Sequence, residues 1–195
     1  MLNDNETIYR CALYPRMTNG DIVPPEKAIS DFSEEKDQEG RKVYTISVGR
    51  GSMLPAWTAV HDYGCRTAVE SNAVREKYKG APLVRGEDTL HYIGAYKLDV
   101  AAVLNAPRKF LDLGVVHHEM TNLPEHCNIV LRRNTVEARR IEVSAERTGI
   151  IIHLRQSLYE PERHICDCDS DLTETLQKIK LTVVKDTGEA LLTTG

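Results

Sequence analysis

The chain has 195 residues, 41% hydrophobic and 28% charged, with a net charge of −4. That is enough apolar residue for a core, and it sets the chain apart from disordered sequences. The acidic balance argues against a dedicated nucleic-acid binder, and no run approaches the ~18 apolar residues that cross a bilayer.

The opening residues MLNDNETIYR carry neither a basic leader nor an apolar stretch, so no signal peptide is expected. Five cysteines, an odd number, then point to reduced thiols in the cytoplasm. Residues 1–5 read as a flexible polar tail, and 7–14 alternate as a strand. Residues 15–21 form a loop around Asn19-Gly20, and Pro24-Pro25 opens a short helix to about residue 32. The charged stretch 33–41 reads as a solvated loop, and 42–50 as a strand alternating Val43, Thr45 and Ser47 with Tyr44, Ile46 and Val48. A flexible link follows at 49–52, then an irregular stretch, 54–64, holding Trp57, His61 and Asp62. Residues 66–79 read as a helix stopped by Gly80. A loop at 81–88 leads to a strand at 89–95, then to a helical pattern over 98–113 broken by Pro107.

The segment FLDLGVVHHEMTNLPEHCNIVL reads as two strands, 113–119 and 126–131, joined by a turn that Asn122 and Pro124 mark. Asn134 with Glu137 offers a capping box for a helix carrying Ala138, Ile141 and Ala145 and ending at Gly149; a hairpin over 135–147 is the alternative. Residues 149–155, GIIIHLR, read as a buried strand, and 157–170 as a polar loop. Asp171 with Glu174 caps a second helix to about residue 177, and 178–184 alternate as a last long strand. The expectation is a single α+β domain over 1–195, with a mixed, largely antiparallel sheet of about five to seven strands packed by three or four helices.

Two clusters invite chemistry. Strand alternation puts His117 and Glu119 on one side, and an antiparallel return could bring His126 to them. Two imidazoles and a carboxylate can hold a divalent metal with a position open to water; the plainer alternative is three side chains bonding a turn. A one-residue slip across the turn would bring Cys127 in instead of His126. His164, Cys166 and Cys168 form the second cluster, three soft ligands lacking a fourth, or a solvated acidic loop. Cys11 reads as a small buried hydrophobe, and Cys65 as a thiol at a helix start four residues after His61. Gly49-Arg50-Gly51-Ser52 is followed by Met-Leu-Pro rather than a helix, so no phosphate loop is completed. Arg132-Arg133 and Arg139-Arg140, interleaved with Glu137, Glu142 and Glu146, read as a solvated mixed-charge face rather than a phosphate-binding stripe.

The run IYR, the segment NGDIVPPEKAISDFS, the strand with ISV and the histidine segment together resemble a set of small uncharacterised bacterial proteins, over about residues 7–131. No activity comes with that resemblance. Ile8-Tyr9-Arg10 with Thr45-Ile46-Ser47 also resembles ADP-ribosyltransferase-type folds, which implies an NAD site. With no complete catalytic motif, the leading expectation is a soluble cytoplasmic accessory protein with a protein partner, no membrane and no nucleic acid. The alternatives are a metal-dependent hydrolase centred on His117, Glu119 and His126, and an NAD-binding protein of the second resemblance.

Overall fold

The computed structural model describes residues 1–14, 25–37, 39–81, 83, 89–134 and 139–164. Strand β1 (Thr7–Tyr14) runs between β3 (Lys42–Arg50) and β4 (His91–Asp99). β6 (His126–Arg133) covers the other edge of β3, and β5 (Leu111–His117) lies outside β6. A two-residue β7 (Glu162–Arg163) extends the sheet beyond β4, and β2 (Ser33–Lys36) pairs with the start of β3. All of these pairings are antiparallel, so the fold is α+β around one seven-stranded antiparallel sheet.

β2 and β1 share one edge of β3, pairing with Lys42–Thr45 and with Gly49–Arg50. Where they part, Arg10 bridges the gap. Its Nη1 donates to the Ser47 carbonyl at 2.8 Å and its Nε to the Ala28 carbonyl at 2.7 Å. That second bond holds the short helix α1 (Pro25–Ala28), which is shorter than the helix expected to residue 32. The guanidinium thereby satisfies carbonyls that no strand reaches.

Helices cover both faces. α2 (Trp57–Lys79) packs Val60, Tyr63 and Ala68 against Cys11, Tyr92 and Ala95. On the other face, α4 (Arg140–Gln156) and the short α3 (Val100–Leu104) join Ile8, Leu98, Leu111, Ile129 and Leu131. Among the described residues no helix is long and apolar enough to cross a membrane.

α2 begins nine residues before the expected residue 66. Buried Val60, Tyr63, Gly64, Ala68, Val69 and Asn72 make its helical stripe, which Gly64 disguises because glycine weakens helix propensity. The glycine is required by packing: a Cβ there would lie 2.2 Å from the Tyr92 ring. Tyr92 reaches that face through a bulge in β4. Ala12 pairs with Gly94 and Leu13 with Tyr92, so Ile93 is the extra residue, and Gly94 takes φ +141°. One extra residue flips every side chain beyond it, and here it turns Tyr92 towards α2.

Other expectations are corrected. Residues 33–36 are a strand rather than a loop, fully exposed and recognisable only by pairing. The helical pattern at 98–113 collapses to five residues of α3, and β5 begins at Leu111. Residues 149–155 are the second half of α4, not a strand. Ile150, Ile151 and Leu154 are buried while Ile152 is exposed, a helical period that overrides β-branched propensity. α4 begins at Arg140 with Arg139 as its N-cap, not with Asn134. Asn134 Nδ2 donates to the Lys109 carbonyl, and Arg139 with Glu142 begins α4 instead. Within the expected tail, Leu2 is buried and its N–H donates to the Val115 carbonyl. The helix and strand expected over 171–184 lie outside the described residues.

Gly64→Ala is expected to destabilise the fold by about 1–3 kcal/mol through overpacking on Tyr92. In a Tyr92→Leu background the same change should cost clearly less, read as non-additive shifts of the urea midpoint.

Candidate functional site

The histidine segment is built by register. His117 pairs with Cys127 and Val116 with Asn128, and the His118 N–H donates to the His126 carbonyl. His117 thus shares the α4 face with Cys127, while His118 and His126 share the opposite face, their rings meeting edge-on at 5.7 Å. Glu119 lies exposed beyond the end of β5. The sheet therefore separates His117 from His126, the outcome of the one-residue register shift. Among the described residues, no three His, Cys, Asp or Glu side chains are placed to share a metal ion.

The polar groups of this turn hold the turn itself. His117 Nε2–H donates to the Pro124 carbonyl at 2.8 Å, and His126 Nδ1–H to the His118 carbonyl at 3.0 Å. From α2, Arg66 grips Glu125 with both Nη atoms at 2.7 and 3.2 Å, the Asn122 carbonyl at 2.9 Å and Asp62 at 2.9 Å. Burial works against the Arg66 charge, but Glu125 and Asp62 outweigh it and raise its pKa. Burial lowers the His126 pKa, and the bond to the His118 carbonyl opposes that shift without cancelling it.

His164 stacks on His61 with ring centroids 4.3 Å apart and planes 12° off parallel. His61 Nδ1 bonds the Tyr92 hydroxyl at 2.9 Å. Cys166 and Cys168 lie outside the described residues. Burial pushes the Cys11 thiol up to about 12 and Cys127 to about 11, so neither is poised as a nucleophile. Cys65 sits inside α2, not at a helix start.

A second concavity lies elsewhere, and sequence reading missed it. A cleft of about 1030 Å³ opens between the β2–β3 hairpin, Asp112 of β5, the end of β6 and the first turns of α4. Arg41, Lys42, Arg132, Arg133, Arg140 and Arg147 line it, against Glu34, Asp37 and Asp112. Lys42 pairs with Glu34 at 2.5 Å and Arg41 with Asp37 at 2.9 Å. The Glu34 contact raises the Lys42 pKa, and nearby Arg140 works against it. Asp112 accepts from Asn134 at 3.3 Å. Arg147 lies over the Tyr44 ring at 4.9 Å, and its buried Nε faces Asp31 Oδ1 at 3.5 Å, an ion pair without hydrogen-bond geometry. Arg132 and Arg140 form no ion pair among the described residues.

The neighbouring acids of α4 are committed elsewhere. Glu142 binds the Arg139 guanidinium at 3.0 Å and its backbone N–H at 2.7 Å. Glu146 accepts the backbone N–H groups of Lys109, Phe110 and Leu111 at 2.8–3.0 Å. A signal for the cleft was available in the sequence. Arg140, Val143, Ser144 and Arg147 recur at helical spacing with no acid among them, whereas Glu142 and Glu146 fall on other faces.

His126 and His61 both have pKa values lowered first of all by burial. The unfolded chain takes up these protons near pH 6.5, before the folded chain does. Stability should therefore be full above about pH 6.5 and fall as pH drops towards the lower folded-state values. His126→Gln, which cannot protonate, is expected to cost about 1–2 kcal/mol at pH 7.5 and proportionally less at pH 5.5. Denaturant midpoints of both proteins across that range would show it.

No protein-family model, no curated protein and no solved structure matches the chain.

Proposed function

We propose that this protein is an accessory protein of the cytoplasm that acts by binding, and that its basic cleft takes the phosphoryl group of a phosphorylated ligand. The observation that carries the reading is the unbalanced charge of the cleft: six cations face three acids, and Arg132 and Arg140 have no acidic partner among the described residues. Guanidinium groups present planar, paired donors that match phosphate oxygens, and Arg is preferred to Lys where such matching counts. The Arg147 guanidinium, held over the Tyr44 ring with its Nε 3.5 Å from Asp31 Oδ1, adds a further cation to the cleft wall.

The ligand is a phosphate ester, free or carried on a partner protein. Pyrophosphate, phosphoserine and a phosphoserine peptide with alanine neighbours are the probes. Calorimetric titration should show saturable binding that weakens with added salt. Arg132→Ala and Arg140→Ala should each weaken it about tenfold or more, since a charge-assisted hydrogen bond is worth about 1.5–3 kcal/mol. Arg139→Ala, whose guanidinium is held by Glu142, should change it little. Tighter binding of the peptide than of phosphoserine would identify a protein as the ligand's carrier, and equal binding a small molecule. Absence of binding for all three probes, or binding indifferent to Arg132 and Arg140, would overturn the reading.

A further inference from the structure

α4 departs from the amphipathic pattern on the side turned away from the sheet. A surface helix normally carries its charges there. Between residues 141 and 152 the exposed residues of α4 are Ile141, Ser144, Ala145, Thr148, Gly149 and Ile152, and none is charged. Ile141 is 71% exposed and Ile152 47%. Other contacts draw the charged side chains to the flanks of the helix. Glu142 pairs with Arg139, Glu146 takes the backbone N–H groups at the start of β5, and Arg147 lies over Tyr44. His153 Nε2–H donates to the Ala102 carbonyl at 2.9 Å, and Arg155 Nε to the Ile29 carbonyl at 2.8 Å.

Ile141, Ala145, Thr148 and Ile152 follow one another at intervals of four, three and four, the seam spacing of two helices packed along their length. Gly149 lies beside that seam. Glycine weakens a helix interior, and no neighbour in the chain calls for it here: a Cβ would meet nothing within 4 Å. Gly64 of α2 is the contrast, required by the Tyr92 ring. A glycine on an open helix face lets a second helix come close, since the side chains at the contact set the distance between axes.

The seam is also symmetric about its middle. Turned end for end, Ile141 takes the place of Ile152, Ala145 that of Thr148, and Ser144 that of Gly149. A two-fold interface has this property, because residue i of one copy meets residue j of the other and j meets i. The antiparallel sense suits the charges as well. It sets opposite ends of the two helix dipoles side by side. It also keeps the two basic clefts, each beside the first turns of α4, at opposite ends of the contact. A 17-residue helix is about 25 Å long, well beyond the screening length of about 8 Å at physiological salt.

We infer that α4 is the contact of a two-fold dimer of this chain, packed antiparallel against α4 of a second copy, with Ile141 of each copy on Ile152 of the other and Ala145 on Thr148. One helix pair falls at the small end of interface sizes, so the dimer is a reversible one. The inference stands apart from the phosphoryl reading of the cleft, and neither needs the other.

The test is sedimentation equilibrium of the full chain over about a hundredfold range of concentration. The average mass should rise from one chain towards two as concentration rises. Ile141→Lys and Ile152→Glu should each leave a monomer with an unchanged urea midpoint, since both side chains are exposed. Mixing those two variants should restore association. The antiparallel register sets the introduced lysine against the introduced glutamate at one end and leaves Ile141 on Ile152 at the other. Gly149→Gln blocks the close approach while strengthening the helix, so it should abolish the dimer with no loss of stability. A chain that stays monomeric at every concentration, whether the face meets another part of the chain or only water, would overturn the inference. So would a dimer that survives Gly149→Gln, or charged variants that fail to associate when mixed.

Discussion

The Glu146 carboxylate, set against three successive backbone N–H groups at the start of β5, is the contact on which both the architecture and the cleft depend. Backbone donors at Lys109, Phe110 and Leu111 come just ahead of or at the strand's first residue, where no ladder partner satisfies them. One ionised side chain meets all three and fixes α4 against the sheet. Hydrogen bonds to a charged acceptor are roughly twice as strong as neutral ones, so a single residue locks the angle of a 17-residue helix. The same bonds draw the nearest negative charge of α4 away from Arg140 and Arg147. A helix whose sequence is nearly balanced in charge therefore presents a positive face to the cleft and a neutralised one to the backbone.

The overall charge of −4 is thus a poor guide to the local field. The cations gather where β2–β3, β6 and α4 meet, and the acids that might balance them are held by neighbouring cations, by backbone amides or by Asn134. Low-dielectric walls on either side of such a cleft concentrate its potential, so three cations in excess of acids act more strongly there than on an open surface. The histidine turn works in the opposite sense. Arg66 holds Glu125 and the Asn122 carbonyl, His117 the Pro124 carbonyl and His126 the His118 carbonyl, which makes a structural joint between α2 and the β5–β6 hairpin.

Regular alternation made β1 and β3 legible from sequence, because both have one helix-covered side to each face and no internal break. The paired strands around 120–125 were legible from their turn residues. What could not be read was anything fixed by long-range contact. β2 has no buried residue and exists through its partner. Gly64 looked like a helix breaker until Tyr92 stood beside it, and Tyr92 stands there only through a bulge with no sequence mark other than Gly94. The run IIIHLR has equal local claims as strand or helix, and the core side of Ile150, Ile151 and Leu154 decides it. The histidines drew attention because residue types that ligate metals are conspicuous. The arginine pairs read as a solvated mixed-charge face, because their importance lies in where Glu142 and Glu146 are bonded, which only the fold shows.

The position of β1 in the sheet also constrains how the chain is made. β1 emerges from the ribosome first, yet its long ladder is with β4, from Thr7 opposite Asp99 to Tyr14 opposite His91. Until Asp99 has cleared the exit tunnel, β1 has only the two-residue pairing with β3 available to it. Its Arg10 can find Ser47 early, but Ile8, Cys11 and Ala12 stay uncovered during much of synthesis. Closing that span is a non-local event of the kind that slows folding and exposes strand edges. The nascent chain thus passes through a stage with an apolar strand in search of a neighbour.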